Sequence, residues 1–128
     1  MEIPDGLRYS DDHEWLRVDG EDGVVGITAY ASTELGDVVF VELPAVGRRF
    51  EKAQAFGVIE SVKTASDLYS PAAGEIVAVN DALGDKPELV NDDPYGGGWL
   101  IRLRLDDPAL AAEALRDAKA YRELLETI

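Results

Sequence analysis

Short apolar runs separated by dense turn signals dominate the chain. The stretches "EWLRV" (14–18), "VVGIT" (24–28), "VVFVEL" (38–43), "AFGVIESV" (55–62), "GEIVAVN" (74–80) and "WLIRLRL" (99–105) are rich in β-branched and aromatic residues and read as strands. In "IRLRL" the alternation is strict, so Ile101, Leu103 and Leu105 face a core while Arg102 and Arg104 face water. Along 55–62 the same alternation sets Val58, Glu60 and Val62 on one face, where Phe56 can join them, and Ile59 and Ser61 on the other. Turn formers in "VDGEDG" (18–23), "LPAVG" (43–47), "SPAAG" (70–74), "GDKPE" (84–88) and "DDPYGGG" (92–98) bound these runs. Many short strands at this spacing predict a small sandwich or flattened barrel, a mainly β fold.

Two segments carry the helical period instead. In "ITAYASTELGD" (27–37), Thr28 can cap the start and Gly36 can take the left-handed position at the end, which predicts a short helix near 28–35. The tail "DDPALAAEALRDAKAYRELLETI" places Asp107 at an N-cap and Pro108 at the first helical position. Leu110, Ala114, Leu115, Ala118, Tyr121 and Leu125 then form one apolar stripe, predicting a single helix near 108–126 packed on a sheet. A faint echo links "EDGVVGIT" (21–28) and "PAAGEIVAVN" (71–80), as two similar hairpin layers stacked about a pseudo-two-fold axis would produce.

Length and composition narrow the chemistry. At 128 residues the chain is expected to form one domain, residues 1–128, with a core large enough to need no staples. It has no cysteine, which excludes disulfides, thiol nucleophiles, thiolate zinc sites and iron–sulfur ligation. Any redox chemistry must come from an added group. One histidine rules out a multi-histidine metal site. With 12 basic and 26 acidic residues the net charge is −14, which disfavours nucleic acid and anionic membranes; it suits basic partner surfaces and equally suits solubility alone. No apolar run approaches the roughly 20 residues of a membrane span. The start "MEIPDGLRYS" resembles neither a secretory signal nor a transit peptide. The expected location is therefore the cytoplasm of a bacterium, or the mitochondrial matrix for a chain without its targeting segment.

One lysine stands apart. In "FGVIESVKTASDLYSP" (56–71), Lys63 is the sole basic residue, with Lys52 and Lys86 its nearest basic neighbours along the chain. Thr64, Ala65, Ser66 and Asp67 are short and turn-compatible, so Lys63 is expected at a hairpin tip, extended into solvent. A catalytic lysine needs burial or a cationic neighbour; here Glu60 and Asp67 are acidic. A reachable amine on a rigid support suits a modifying enzyme, and locally it also suits an ordinary solvated lysine.

The surrounding words decide between these. "GVIESVKTASDLYSPAAGEI" resembles the lipoyl-lysine hairpin of the glycine cleavage H-protein family. "YSDDHEWL" (9–16), "VGITAYASTELGDVVFVELPAVG" (25–47) and "NDALGDKPELVNDDPYGGGWLIRL" (80–103) resemble the family's other blocks in the same order. The resemblance implies a lipoyl-domain-like barrel-sandwich hybrid of two antiparallel sheets, with the lipoyl hairpin at about 55–80. It implies lipoic acid in amide linkage on Lys63, supplying the sulfurs that the cysteine-free chain lacks. It implies a monomeric carrier, not an enzyme, visiting three partners: the pyridoxal-phosphate glycine decarboxylase (P protein), the tetrahydrofolate-dependent aminomethyltransferase (T protein) and the FAD-dependent dihydrolipoyl dehydrogenase (L protein). A lipoate-attaching enzyme is a fourth. The loaded arm folds back in this family into a cleft whose carboxylates hold an ammonium; Glu14 and Asp67 match that role. Position 12 is Asp where some relatives have a hydroxyl residue, which adds negative charge there.

Other readings fit less well. Biotinyl domains flank their lysine with methionines, where Val62 and Thr64 stand here. A lipoyl domain of a 2-oxoacid dehydrogenase is usually followed by a linker and further domains. A relay passing lipoyl groups to other complexes, or an unmodified acidic interaction module, remains open from sequence. His13 is expected to be a satisfied turn or strand residue, Trp15 and Trp99 packing residues, and "GGG" (96–98) a flexible turn. The acids of "NDD" (91–93) and "DDP" (106–108) read as turn and cap carboxylates.

Overall fold

The computed structural model describes residues Met1–Ile128. The chain runs β1 (Arg8–Tyr9), β2 (Glu14–Asp19), β3 (Asp22–Ile27), α1 (Ala29–Leu35), β4 (Val38–Glu42), β5 (Arg49–Phe50), β6 (Ala55–Ser61), β7 (Ala65–Tyr69), β8 (Gly74–Val79), α2 (Ala82–Asp85), α3 (Leu89–Asp92), β9 (Ile101–Leu105), α4 (Pro108–Glu113) and α5 (Ala118–Glu126). Two antiparallel sheets result: six strands in the order β1-β2-β3-β9-β8-β5, and three in the order β4-β6-β7. The mainly β, two-sheet architecture agrees with the expected class. The short strands β1 and β5 and the one-turn helices α2 and α3 carry too few residues for a readable period.

The main core lies between the sheets and joins Leu16, Val25 and Ile27 of one to Val41, Ile59 and Leu68 of the other. Alternation in "IRLRL" holds: Ile101, Leu103 and Leu105 are buried, while Arg102 and Arg104 share the carboxylate of Asp22 on the outer face. The β2–β3 hairpin is buried on both faces at its Glu14–Leu16 end. Leu16 pairs with Val25 toward the main core, whereas Trp15 and Val24 join Tyr9, Ala118 and Tyr121 in a second cluster under α5. Trp15 lies across Gly26, where a Cβ would come within 2.6 Å of the indole. Glycine there is a packing requirement.

Four expectations are corrected. First, the pairing of β6 with β7 slips between Ala55 and Gly57, so Phe56 and Ile59 both enter the core, 4% and 1% exposed, and strict alternation fails. Second, the C-terminal helix is broken. Arg116 leaves the helical path to exchange backbone hydrogen bonds with Tyr9, at 2.8 and 2.9 Å, and Asp117 caps a new helix by accepting from Ala120 N–H at 2.9 Å. Leu110 accordingly faces solvent, 59% exposed, instead of joining the stripe. Third, the two echoing segments do not form stacked layers: β3 and β8 flank β9 in one sheet. Fourth, residues 96–98 do form a turn, but packing requires two of its glycines: a Cβ at Gly96 would sit 2.4 Å from an Asp93 carboxylate oxygen, and one at Gly98 2.5 Å from the Leu89 carbonyl.

The helix caps follow the sequence reading. Thr28 Oγ1 accepts from Ala31 N–H at 3.2 Å, and Gly36 ends α1 at φ 76° with its N–H on the Ser32 carbonyl. Asn91 then fastens the following junction, accepting from Val38 N–H at 2.8 Å and donating to the Gly36 carbonyl at 2.7 Å.

Candidate functional site

Lys63 lies at the tip between β6 and β7, exposed, and enters none of the ion pairs. The tip is tighter than its small residues suggested. Ser61 N–H donates to the Thr64 carbonyl at 2.8 Å, and β7 starts at once with Ala65, opposite Glu60. Residues 65–67, read as turn-compatible, therefore form the return strand. The Ser61 hydroxyl oxygen accepts from the N–H groups of Lys63 and Thr64, at 3.3 and 3.2 Å. Val62 N–H donates to the Asp37 carbonyl at 3.0 Å, tying the tip to the loop after α1. The lysine side chain is exposed, its stem passing beside Gly36, and its backbone is held.

Beside this hairpin is a cleft of about 320 Å³. One wall is Thr64 with Ala65–Leu68 of β7, the other is Asp12–Glu14, and α1 closes one side with Tyr30, Glu34 and Leu35. Ile27 and Ile59 line it as apolar surface. Glu14, Asp67 and Asp12, chosen from sequence, all border it. They differ in depth: Glu14 is 3% exposed, while Asp12 and Asp67 stand in solvent at its edge.

His13 explains how Glu14 is turned inward. Its backbone takes φ 67°, a left-handed conformation that side chains adopt at a cost, and its N–H and carbonyl bond to Ser10 O and Thr28 N. The ring is half-buried, with Nδ1 2.8 Å from Tyr121 Oη, which is also 2.8 Å from Thr28 Oγ1. Burial holds the imidazole below its ordinary range, and so neutral at pH 7. His13 is thus a satisfied structural residue. Trp15 is likewise structural, its Nε1–H donating to the Pro94 carbonyl at 3.0 Å.

Burial pushes Glu14 up to about 8; the hydrogen bond from Ser10 Oγ, 2.6 Å from Oε1, opposes this, and the Asp12 carboxylate adds to it. Alone, the carboxyl is mostly protonated at neutral pH. A cation brought against it favours the carboxylate. Ser10 and Ser61 are the residues that sequence reasoning missed. Both are serines two to four positions from a candidate, and only the folded backbone reveals which atoms they meet.

Asp12 and Glu14 also border a second cleft of about 360 Å³, but Lys52 and Arg116 line that one. The hairpin cleft has no lysine or arginine in its lining and four acids, Asp12, Glu14, Glu34 and Asp67. A positively charged group is favoured there by charge.

An exposed lysine on a clamped tip, beside an acidic cleft with apolar walls, suits a carrier better than a catalyst. The sequence profile described as "Glycine cleavage H-protein" matches residues 7–128, and the chain belongs to that family. It is 55% identical over 127 residues to the glycine cleavage system H protein of Chlorobium limicola, covering 98% of each chain. It is 56% identical to that of Symbiobacterium thermophilum, over 93% of this chain and 92% of that one. The crystal structure of a glycine cleavage system H protein from Mycobacterium marinum superposes with a TM-score of 0.86 at 41% identity, covering 94% of this chain and 97% of that one.

Proposed function

We propose that Lys63 is the amine on which this glycine cleavage H protein carries its lipoyl group, and that Glu14, with Asp12 and Asp67 around it, receives the cationic end of the loaded arm. The chain is a carrier and not an enzyme. Held in amide linkage on Lys63, the lipoyl group would supply the redox-active pair of sulfurs that the cysteine-free chain lacks, the chemistry through which an H protein serves the P, T and L proteins.

The residues present suit that group. An exposed amine leaves the arm free to reach partner enzymes, while Ser61 and Asp37 hold its root. Ile27, Ile59 and Leu68 give an acyl chain an apolar wall that excludes water. At the polar end, an ammonium meeting Glu14 converts a buried neutral carboxyl into a paired carboxylate, and the displaced proton leaves through the open side of the cleft. The charge-assisted hydrogen bond so formed is stronger than a neutral one. Asp12 and Asp67, both in solvent, contribute field more than contact.

The observation carrying this reading is the convergence of Glu14, Asp12 and Asp67 on one cleft beside the hairpin of Lys63. The test is intact mass after incubation with a lipoate ligase, lipoate and ATP, for the wild type and for Lys63→Ala. A single lipoyl increment on the wild type, absent from the variant, is expected. An increment that survives in Lys63→Ala overturns the assignment.

A further inference from the structure

The outer face of the three-stranded sheet presents more apolar surface near Lys63 than its alternation requires. The pairing of β4 with β6 slips between Val38 and Phe40. Two consecutive apolar residues, Val39 and Phe40, are consequently turned outward, 52% and 50% exposed, while Val38 and Val41 on either side are buried. Phe40 pairs with Glu60, and Val62 lies two residues further along from Glu60 toward the tip, 70% exposed. The bond from Val62 N–H to the Asp37 carbonyl keeps Val62 beside this end of β4. Exposed acids, Asp37, Glu42 and Glu60, surround the three side chains.

We propose that Val39, Phe40 and Val62 form the docking surface for the enzyme that attaches the lipoyl group, a partner whose surface offers an apolar hollow rimmed by arginine or lysine. This rests on Lys63 being the attachment point. The choice of partner follows from reach. Forming the amide requires Nζ of Lys63 to attack the acyl carbon of a lipoyl-adenylate. The acyl C–O bond breaks, AMP leaves with its electron pair, and the lysine ammonium gives up two protons. The attaching enzyme's reacting atoms must therefore come within one lysine side chain of the tip, so its surface must cover the residues that flank it. Enzymes of the cycle act at the far end of the finished arm and are not forced onto this patch. The acidic rim adds a steering field for a basic partner face and rejects acidic ones.

The test compares kcat/KM for lipoylation by a lipoate ligase with lipoate and ATP, followed by intact mass. Phe40→Ser and Val62→Ser are expected to lose about tenfold each, mainly through KM, as central anchors of an interface do. Val39→Lys should lose more than Val39→Glu, since the partner's rim is basic. Leu110→Ser, equally exposed but on α4, should match the wild type. Driven to full lipoylation by long incubation, the Phe40 and Val62 variants should turn over with the glycine decarboxylase at the wild-type rate. Wild-type lipoylation kinetics in both serine variants would overturn the proposal. So would normal lipoylation combined with slow decarboxylase turnover, which would assign the patch to that enzyme. Thermal melts identify a variant that has lost its fold, in which case the Val39 charge pair decides. Failure of the attachment reading shows separately, as a wild type that gains no lipoyl mass or a Lys63→Ala chain that does.

Discussion

The hydroxyl of Ser10 donates to Oε1 of Glu14 at 2.6 Å and accepts from the Glu14 backbone N–H at 3.1 Å, so one serine holds both ends of the most buried of the cleft's four acids. The carboxyl is held in one orientation by its own neighbour. Its position, 3% exposed, gives the site a measurable pH signature.

That signature is in stability. Glu14 is raised from 4.5 to about 8, chiefly by burial, so the folded chain keeps a proton in that window that the unfolded chain has lost. Stability contributed by Glu14 is therefore fully present below about 4.5, falls as pH rises toward 8, and levels off above it. Glu14→Gln removes this slope. Urea unfolding at a series of pH values should show the variant gaining on the wild type by a few kcal/mol across the window. Parallel stability curves would mean that Glu14 ionises freely in the folded protein.

Under the proposed attachment at Lys63, Ser61 is expected to bear on lipoylation and little on folding. Its oxygen accepts from two tip amides that water would otherwise solvate, so Ser61→Ala should cost at most about 1 kcal/mol of stability. Lipoylation should slow by roughly fivefold, the same free energy expressed in the population of the presented turn. Ser61→Thr should restore most of the rate. A lipoylation rate untouched by Ser61→Ala would show that the turn is held by its backbone alone.

Tyr121 couples α5 to the cleft. Its hydroxyl meets His13 Nδ1 and Thr28 Oγ1, and its ring stacks on Tyr9 with centroids 4.6 Å apart. Tyr121→Phe keeps the stacking and strips a partner from each of two polar groups, at a cost of about 1–3 kcal/mol. Denaturant unfolding of Tyr121→Phe, His13→Ala and the double variant should give non-additive losses. Additive losses would separate the histidine from the tyrosine energetically.

Asp117 maintains the break between the last two helices. Asp117→Ala should lose about 1 kcal/mol, the worth of an N-cap, with reduced helical circular dichroism. A gain in helicity would indicate that the chain prefers one continuous helix once the cap is gone.

The legible part of this fold was local. "IRLRL" has the same alternation in the structure as on the page, and Thr28, Gly36, Asp107 and Pro108 occupy the cap positions their chemistry favours. The break at Arg116 was hidden because Tyr9, its pairing partner, is more than a hundred residues away in sequence. The outward Phe40 was hidden because a bulge shifts the phase of a strand without marking its composition. At the site, Lys63 was visible by its isolation and by the words around it, and Glu14, Asp12 and Asp67 by resemblance alone.

By itself the sequence determined what each segment could be: strands by alternation, caps by side-chain oxygens, an isolated lysine in a short turn, and no sulfur of its own for redox work. These depend on neighbours along the chain, and periodicity reports them directly. Tertiary structure alone decided that Glu14 would be buried while Asp12, two residues earlier, stays in solvent. It also decided that the hairpin cleft would be lined by acids without a lysine or arginine. Burial and field depend on which distant segments pack together, here β7, α1 and the turn at His13, and no local pattern encodes that meeting.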